Sequence, residues 1–219
     1  MKETDLASKV VKWLSDQHWD VYQEVKFGYG GIADIAATRA GYLWIIECKT
    51  TLTLTVIRQA TRWASHFRSI AVPEGTNHDD RHFAYNLAHD YFRLGIIEYR
   101  AQNGIIEMDF PPIMREYHKR AKRMMRELRE EHKTYLPAGS NGGGYYTPYR
   151  ETMDHVKRFI RMHPGCTLKE IMDDVGNQHH YCSNATARSS IRVALSNWES
   201  WCDVRQTGKE YTYFVKEQK

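Results

Sequence analysis

Two short apolar segments carry the residues with the clearest chemical potential. Segment 31–35 places Asp34 among apolar neighbours, and segment 45–49 carries Glu47 and Lys49. Both segments are strand-like, and side chains two residues apart on a strand share a face, so Glu47 and Lys49 are expected to point the same way. They would lie about 6–7 Å apart along the strand. The alternate residue Cys48 is then expected to point into the core, which disfavours its thiol as a nucleophile.

The pairing of these strands in a hairpin would bring the carboxylate of Asp34 beside that of Glu47. Glu24, one strand earlier, has the same outward phase. Two or three carboxylates at a sheet edge suit a hard divalent cation such as Mg²⁺. Such a cation lowers the pKa of bound water and neutralises charge on a phosphate, and Lys49 would orient or deprotonate that water. The pattern therefore favours phosphodiester cleavage, although Glu47 and Lys49 could also be a solvated ion pair on a strand.

The elements that must position these residues follow from hydrophobic periodicity. Apolar residues at helical spacing end near Gln17, and alternation then predicts strands over 19–27, 32–38 and 42–49. Further along the chain we expect a helix from Leu54, a strand over 69–73, a helix over 83–94, and extended segments over 96–100 and 105–110. This order predicts an α/β domain with a mixed sheet and helices on its faces.

With this order, Asp34, Glu47 and Lys49 resemble the motif of the PD-(D/E)XK, or restriction-endonuclease-like, nucleases. The resemblance covers about residues 1–100 and matches the family's metal-binding Asp on the second strand and its Glu-x-Lys on the third. Glu24 matches the acid that often lies upstream on a strand, and Gln59 resembles the helical Gln of several branches. The resemblance implies Mg²⁺, with Mn²⁺ able to substitute, held by the three acids and the backbone carbonyl of Cys48.

The sequence also departs from the family pattern. Ala33 stands before Asp34 where Pro is common, although that position is loose in the family. Some branches, such as archaeal Holliday-junction resolvases, place the extra acid on the first helix. The matching position here is Ala7, with Glu3 and Asp5 a turn away. We therefore prefer Glu24 as the third acid.

Beyond this domain, residues 111–150 form a basic segment after the break at Pro111-Pro112. It contains 9 Lys and Arg against 4 Asp and Glu. Apolar spacing predicts a long helix over 113–133, and 137–148 reads as a Gly-rich linker. The helix is either a solvated element or a surface that neutralises DNA phosphates.

The last segment, 151–219, has three helix-like stretches followed by a hairpin-like pair, which is the order of a winged helix. Its third helix, from about Ala185 to Trp198, would enter the major groove if the segment binds DNA. Winged helices also serve protein contacts, so both interpretations stand. The candidate DNA-binding residues along the whole chain are Arg58, Arg62, Lys119, Arg123, Arg188, Arg192 and Lys209.

Composition sets the broad class. The chain has 219 residues, 42% apolar and 26% charged, which predicts a folded core and excludes collagen-like and disordered classes. No apolar run reaches the roughly 18 residues of a membrane span, and no secretory signal is recognisable. Four cysteines stand singly, so we expect a reducing, cytoplasmic setting. Trp13, Trp44, Trp63 and Trp198 lie in apolar phase and are expected in the core.

Taken together, the residues and the resemblance predict a metal-dependent DNA endonuclease with three parts. These are a restriction-endonuclease-like domain (1–110), a basic helix and linker (111–150) and a winged-helix-like domain (151–219) that positions DNA. The alternative is a non-catalytic DNA-binding regulator on a nuclease-like scaffold. The sequence does not exclude RNA as substrate and leaves a homodimer open. A bacterial or phage setting is expected from the resemblance.

Overall fold

The computed structural model describes residues 1–28, 31–75, 78–116, 118–140, 145–208 and 210–216. Contacts divide the chain into two compact units, Met1–Tyr146 and Thr147–Lys219. Among the described residues, no helix is both long enough and apolar enough to cross a membrane.

The first unit is built on one mixed sheet. Its elements are α1 (Glu3–Asp16), β1 (Asp20–Phe27), β2 (Gly31–Arg39), β3 (Tyr42–Cys48), α2 (Leu54–Thr61), β4 (Phe67–Pro73), α3 (His78–Asn86), a π-helical turn (Leu87–Tyr91), β5 (Gly95–Arg100), β6 (Ile105–Phe110), α4 (His118–Met125) and a 3₁₀ turn (Glu130–Lys133). The strand order follows the sequence from β1 to β6. The β3–β4 and β4–β5 pairs are parallel and the other pairs antiparallel. The predicted α/β mixed sheet is confirmed.

Helices cover both faces of this sheet. The amphipathic helix α1 buries Leu6 and Val10 against Ile46 and Cys48 of β3. The opposite face of β3, which carries Ile45, packs against α4 and Trp63. Alternation along β3 therefore works as the sequence indicates, and it sends Glu47 toward the α4 face.

The predicted long helix over 113–133 is wrong. Helix α4 spans only His118–Met125, and the chain turns before the short 3₁₀ segment. Tertiary contacts explain the early end: the carboxylate of Glu127 accepts a 2.7 Å hydrogen bond from the Gly28 amide, and the carbonyl of Lys133 accepts one from Gln23. These contacts direct the chain back across β1 and override the helical periodicity.

The segment predicted as a linker is partly built into the first unit. Ala138 is buried in the core beside α1, and the amides of 138–140 bind side chains of β1. The structure therefore groups residues up to Tyr146 with the sheet domain. Residues 141–144 lie outside the described residues.

The second unit contains α5 (Pro148–Met162), β7 (Cys166–Thr167), α6 (Leu168–Val175), α7 (Asn184–Asn197), β8 (Cys202–Thr207) and β9 (Glu210–Val215). Its sheet has the order β7-β9-β8. A capping box starts α6, because the Thr167 amide donates to Glu170 at 2.7 Å and the Thr167 hydroxyl accepts from the Glu170 amide. Trp198, predicted in the core, is 67% exposed because it follows the last turn of α7.

Candidate active site

The site lies where β2 and β3 stop pairing. Their ladder ends at the pair Ile35 and Ile46, one residue before Asp34 and Glu47 would meet. The Oδ2 atom of Asp34 instead accepts a 2.8 Å hydrogen bond from the Cys48 amide. A side-chain carboxylate thus takes the place of a backbone acceptor, and this fixes Asp34 between the two strands.

Lys49 reaches this carboxylate from beyond the end of β3. Its Nζ lies 2.8 Å from Asp34 Oδ2 and 3.4 Å from Glu3 Oε2. Burial acts to lower the pKa of Lys49, but the charges of Asp34, Glu3 and Glu47 and the hydrogen bond to Asp34 outweigh burial and raise it. Lys49 is therefore a permanent cation and the local counter-ion of Asp34.

Glu47 is almost fully buried, with 3% of its surface exposed. Its Oε1 accepts a 2.6 Å hydrogen bond from the indole Nε1 of Trp63. Burial, and then the charge of Asp34, raise the pKa of Glu47 to about 7, although Trp63, Lys49 and Arg62 act in the opposite direction. Near neutral pH this carboxyl group can gain or lose a proton.

Glu24 sits at an irregularity in β1. Its neighbours Gln23 and Val25 pair with β2, but Glu24 itself is skipped and has a left-handed φ of 49°. This single residue switches the strand face, because Val21 packs on the α1 side while Val25 packs on the α4 side. A non-glycine residue in this conformation costs on the order of 1–3 kcal/mol and is concentrated at functional sites.

A distant loop holds the Glu24 carboxylate in place. Its Oε1 accepts hydrogen bonds from the Gly139 amide at 2.7 Å and the Ser140 amide at 3.2 Å. Gly139 has a φ of 77°, and a Cβ there would lie 2.9 Å from the backbone of Glu3, so only glycine fits. Burial and the charge of Asp34 raise the pKa of Glu24 to about 7, against the opposing effect of the two amides and Lys49.

The donor chemistry of this cluster fits a hard divalent cation, since Glu24, Asp34 and Glu47 offer carboxylate oxygens. Each carboxylate has one oxygen that accepts a hydrogen bond from a protein donor. In the described part of the chain, the second oxygen of each is not a buried atom without a hydrogen-bond partner. The described residues contain no group of three His, Cys, Asp or Glu already placed to hold a metal together. Lys49 supplies the positive charge in this arrangement. Cys48 contributes its amide, and its thiol is buried with a raised pKa.

The neighbouring helix α2 and the loop after it supply polar and cationic groups. Gln59 is half-buried, and no described hydrogen bond joins its side chain to the carboxylates; Arg58 is exposed. The guanidinium of Arg62 lies 4.8 Å from the centre of the Trp63 ring and lowers the pKa of Glu47. A cavity of about 360 Å³ opens beside this ring, lined by Phe27, Gly31, Arg62, Trp63, Ala64, Arg120 and Met124.

The remaining predicted DNA-binding residues fall on two helices. Lys119 and Arg123 are exposed on α4, whose buried Met124 packs near Trp63. Arg188 and Arg192 are exposed on α7 and line a groove of about 580 Å³ against β9. Lys209 lies outside the described residues.

Sequence reasoning missed three contacts of the site. Trp63 is buried, as its apolar phase predicts, but the prediction gives its indole no hydrogen-bond partner. Because a buried indole N–H needs an acceptor, the need for a partner such as Glu47 could have been inferred. Glu3 received no role, yet it pairs with Lys49. The Gly139 amide lies 115 positions from Glu24, and no local signal predicts so distant a contact.

The chain was compared with protein-family models, curated proteins and solved structures, and none of these comparisons gives a match.

Proposed function

We propose that the first unit is a metal-dependent DNA nuclease with a restriction-endonuclease-like arrangement, and that Asp34, Glu47 and Lys49 are its catalytic core. The observation that carries this proposal is the grouping of buried carboxylates and a lysine at the point where β2 and β3 stop pairing, next to Glu24 of β1. The charge of Asp34 raises the pKa of both Glu24 and Glu47, so Asp34 lies near each of the other two acids.

Each group would have a distinct part in hydrolysis. Mg²⁺ or Mn²⁺ held by Glu24, Asp34, Glu47 and the Cys48 carbonyl would supply charge neutralisation and an acidified water. Because its pKa is raised, Lys49 is better suited to act as a cation that orients the phosphate or the water than to act as a base. Without a cation, burial and the charge of Asp34 raise the pKa of Glu24 and Glu47 to about 7, and a bound cation would favour their ionised forms.

The basic residues support a nucleic acid as substrate. Lys119 and Arg123 project from α4 on the side of the sheet where Glu47 lies. Arg188 and Arg192 line the α7 groove in the second unit, whose helices and hairpin follow winged-helix order. We propose that this unit positions DNA for cleavage, and that Gln59 supports the scissile backbone.

One observation favours the second candidate, a non-catalytic DNA-binding regulator on the same scaffold. The Asp34 carboxylate is already neutralised by Lys49 at 2.8 Å, and a scaffold needs no further cation. Mn²⁺ titration distinguishes the two candidates. If the protein is a nuclease, its binding of Mn²⁺ depends on Asp34 and Glu47. If it is a scaffold, any binding of Mn²⁺ is independent of these two residues.

The direct test is a cleavage panel with matched variants. Purified full-length protein is incubated with linear, circular, single-stranded and branched DNA and with RNA, in Mg²⁺, Mn²⁺ or EDTA. Asp34→Asn and Lys49→Ala are compared with Asp16→Asn and Lys12→Ala, which change the same residue types in an exposed ion pair of α1.

We expect metal-dependent cleavage that is lost in both site variants and kept in both α1 variants. Preferred cleavage of RNA would change the substrate class. No cleavage on any substrate, with Mn²⁺ binding unaltered by Asp34→Asn, would contradict the nuclease and leave the scaffold.

A further inference from the structure

The second unit has a large groove that the proposed nuclease function does not use. It encloses about 1040 Å³ between the C-terminal half of α5 and the hairpin β8–β9. The side chains that give it its chemistry are Lys157, Arg161, Trp201, Arg205, Phe214 and Lys216. In the part of the chain that the structure describes, it shares no lining residue with the groove beside α7 that holds Arg188 and Arg192.

Strand alternation explains how this surface forms. Residue Asp203 pairs with Phe214, and Arg205 pairs with Thr212, so these side chains share the outer face of the hairpin. Val204 and Tyr213 pair on the inner face and pack into the core of the unit. The helical core therefore packs on the inner face, while side chains of the outer face line the groove together with residues of α5.

The groove has an excess of positive charge. Among the described residues that line it, Asp203 is the one acid, and it is paired with Arg205 at 2.9 Å. Within the described residues, no ion pair involves Lys157, Arg161 or Lys216. The Nζ of Lys216 donates a hydrogen bond to the backbone carbonyl of Ser200 at 2.9 Å.

Two aromatic rings of the groove lie against cationic side chains. Lys157 Nζ lies 5.1 Å from the centre of the Trp201 ring, and the Arg205 guanidinium lies 4.1 Å from the centre of Phe214. Gly165 makes room for the second ring, since a Cβ at this residue would lie 3.3 Å from Phe214. Two pairs of a cation and an aromatic ring thus line the same groove.

We propose that this groove binds a single strand of nucleic acid. Grooves for single strands combine cations that follow the phosphates with aromatic or guanidinium surfaces on which bases stack. An acidic peptide would use the cations and would leave the aromatic surfaces without a role. The groove would hold the displaced or unpaired part of a substrate, and its binding does not depend on the carboxylate site in the first unit.

The test measures binding of fluorescein-labelled oligo(dT) to the full-length protein in EDTA, where metal-dependent cleavage is blocked. The variant Arg161→Glu/Lys216→Glu removes two unpaired groove cations. The matched control Lys12→Glu/Lys26→Glu makes the same charge change at exposed positions of the first unit. Circular dichroism confirms that each variant is folded.

We expect the groove variant to weaken oligo(dT) binding about tenfold or more and the control to leave it unchanged. Loss of two phosphate contacts should also make the dependence of log affinity on log salt less steep by about 1.4. Equal affinity of the groove variant and the unmodified protein would overturn the proposal. Displacement of oligo(dT) by polyglutamate at equal charge concentration would overturn it in favour of an acidic peptide.

Discussion

Replacing Glu47 by Gln should stabilise the first unit at alkaline pH. The wild-type side chain is 3% exposed and has a pKa of about 7 against an ordinary value of 4.5. Gln has nearly the shape of the protonated acid and still accepts the hydrogen bond from Trp63. The variant therefore removes the cost of a buried negative charge and keeps the packing.

The magnitude follows from the linkage between proton binding and folding. Between pH 4.5 and 7 the folded protein holds the Glu47 proton more tightly than the unfolded chain does, so stability falls as pH rises through this window. The contribution is fully present below pH 4.5 and lost above pH 7. A shift of this size corresponds to at most about 3 kcal/mol in the free energy of unfolding. Glu47→Gln should exceed wild type by up to that amount at pH 8 and equal it near pH 4.

Urea unfolding in EDTA between pH 4 and pH 8.5 measures the effect. Trp198→Phe/Trp201→Phe serves as the background, so that tryptophan fluorescence reports only the first unit. Glu116→Gln, at an exposed carboxylate of the same unit, is the control and should leave the pH dependence unchanged. Identical pH profiles for Glu47→Gln and wild type would refute the account of a buried, charge-coupled carboxylate.

Three further substitutions test the supports of the site by urea unfolding. Gly139→Ala should lower the free energy of unfolding by about 1–3 kcal/mol more than Gly41→Ala. Both glycines have a positive φ, but only Gly139 faces the backbone of α1. Equal losses in the two variants would contradict this close packing. Trp63→Phe removes the hydrogen-bond donor to Glu47, so the pKa of Glu47 should rise. The fall in the free energy of unfolding with rising pH should then extend to a higher pH. An unchanged pH profile of that free energy would show that this hydrogen bond has no influence. Gly31→Ala places a methyl group 2.5 Å from the Trp63 ring and should cost about 1–3 kcal/mol; a neutral result would mean that the ring is free to shift.

Strand alternation was sufficient to predict much of the first unit and the centre of its site. The period of two in β3 correctly assigned Cys48 to the core. The opposite face, which carries Glu47, is covered by α4 and Trp63 and is buried as well. The expected hairpin brought Asp34 to the end of β3, where it binds the Cys48 amide and Lys49. The burial of β3 residues and the position of Asp34 depend only on strands that are neighbours in the sequence. The local alternation of apolar and polar residues is therefore enough to predict them.

The features that escaped prediction depend on distant parts of the chain or on the ends of elements. The backbone conformation of Glu24 is set by a strand irregularity and by the loop at Gly139, and neither has a sequence signature. The helix over 113–133 is cut short because Glu127 binds Gly28, a contact across 99 positions. The helical spacing of apolar residues in α7 includes Trp198, but the helix ends before this residue. Its side chain therefore does not follow the buried face of the helix and is exposed.

Cleavage of supercoiled DNA by wild type and Asp34→Asn, side by side in Mn²⁺ and in EDTA, tests the central proposal most directly. We expect nicked or linear product only for wild type with Mn²⁺, because the Asp34 carboxylate, which accepts hydrogen bonds from the Cys48 amide and from Lys49, would hold the cation. Cleavage that persists at the wild-type rate in Asp34→Asn, or that proceeds in EDTA, would contradict it.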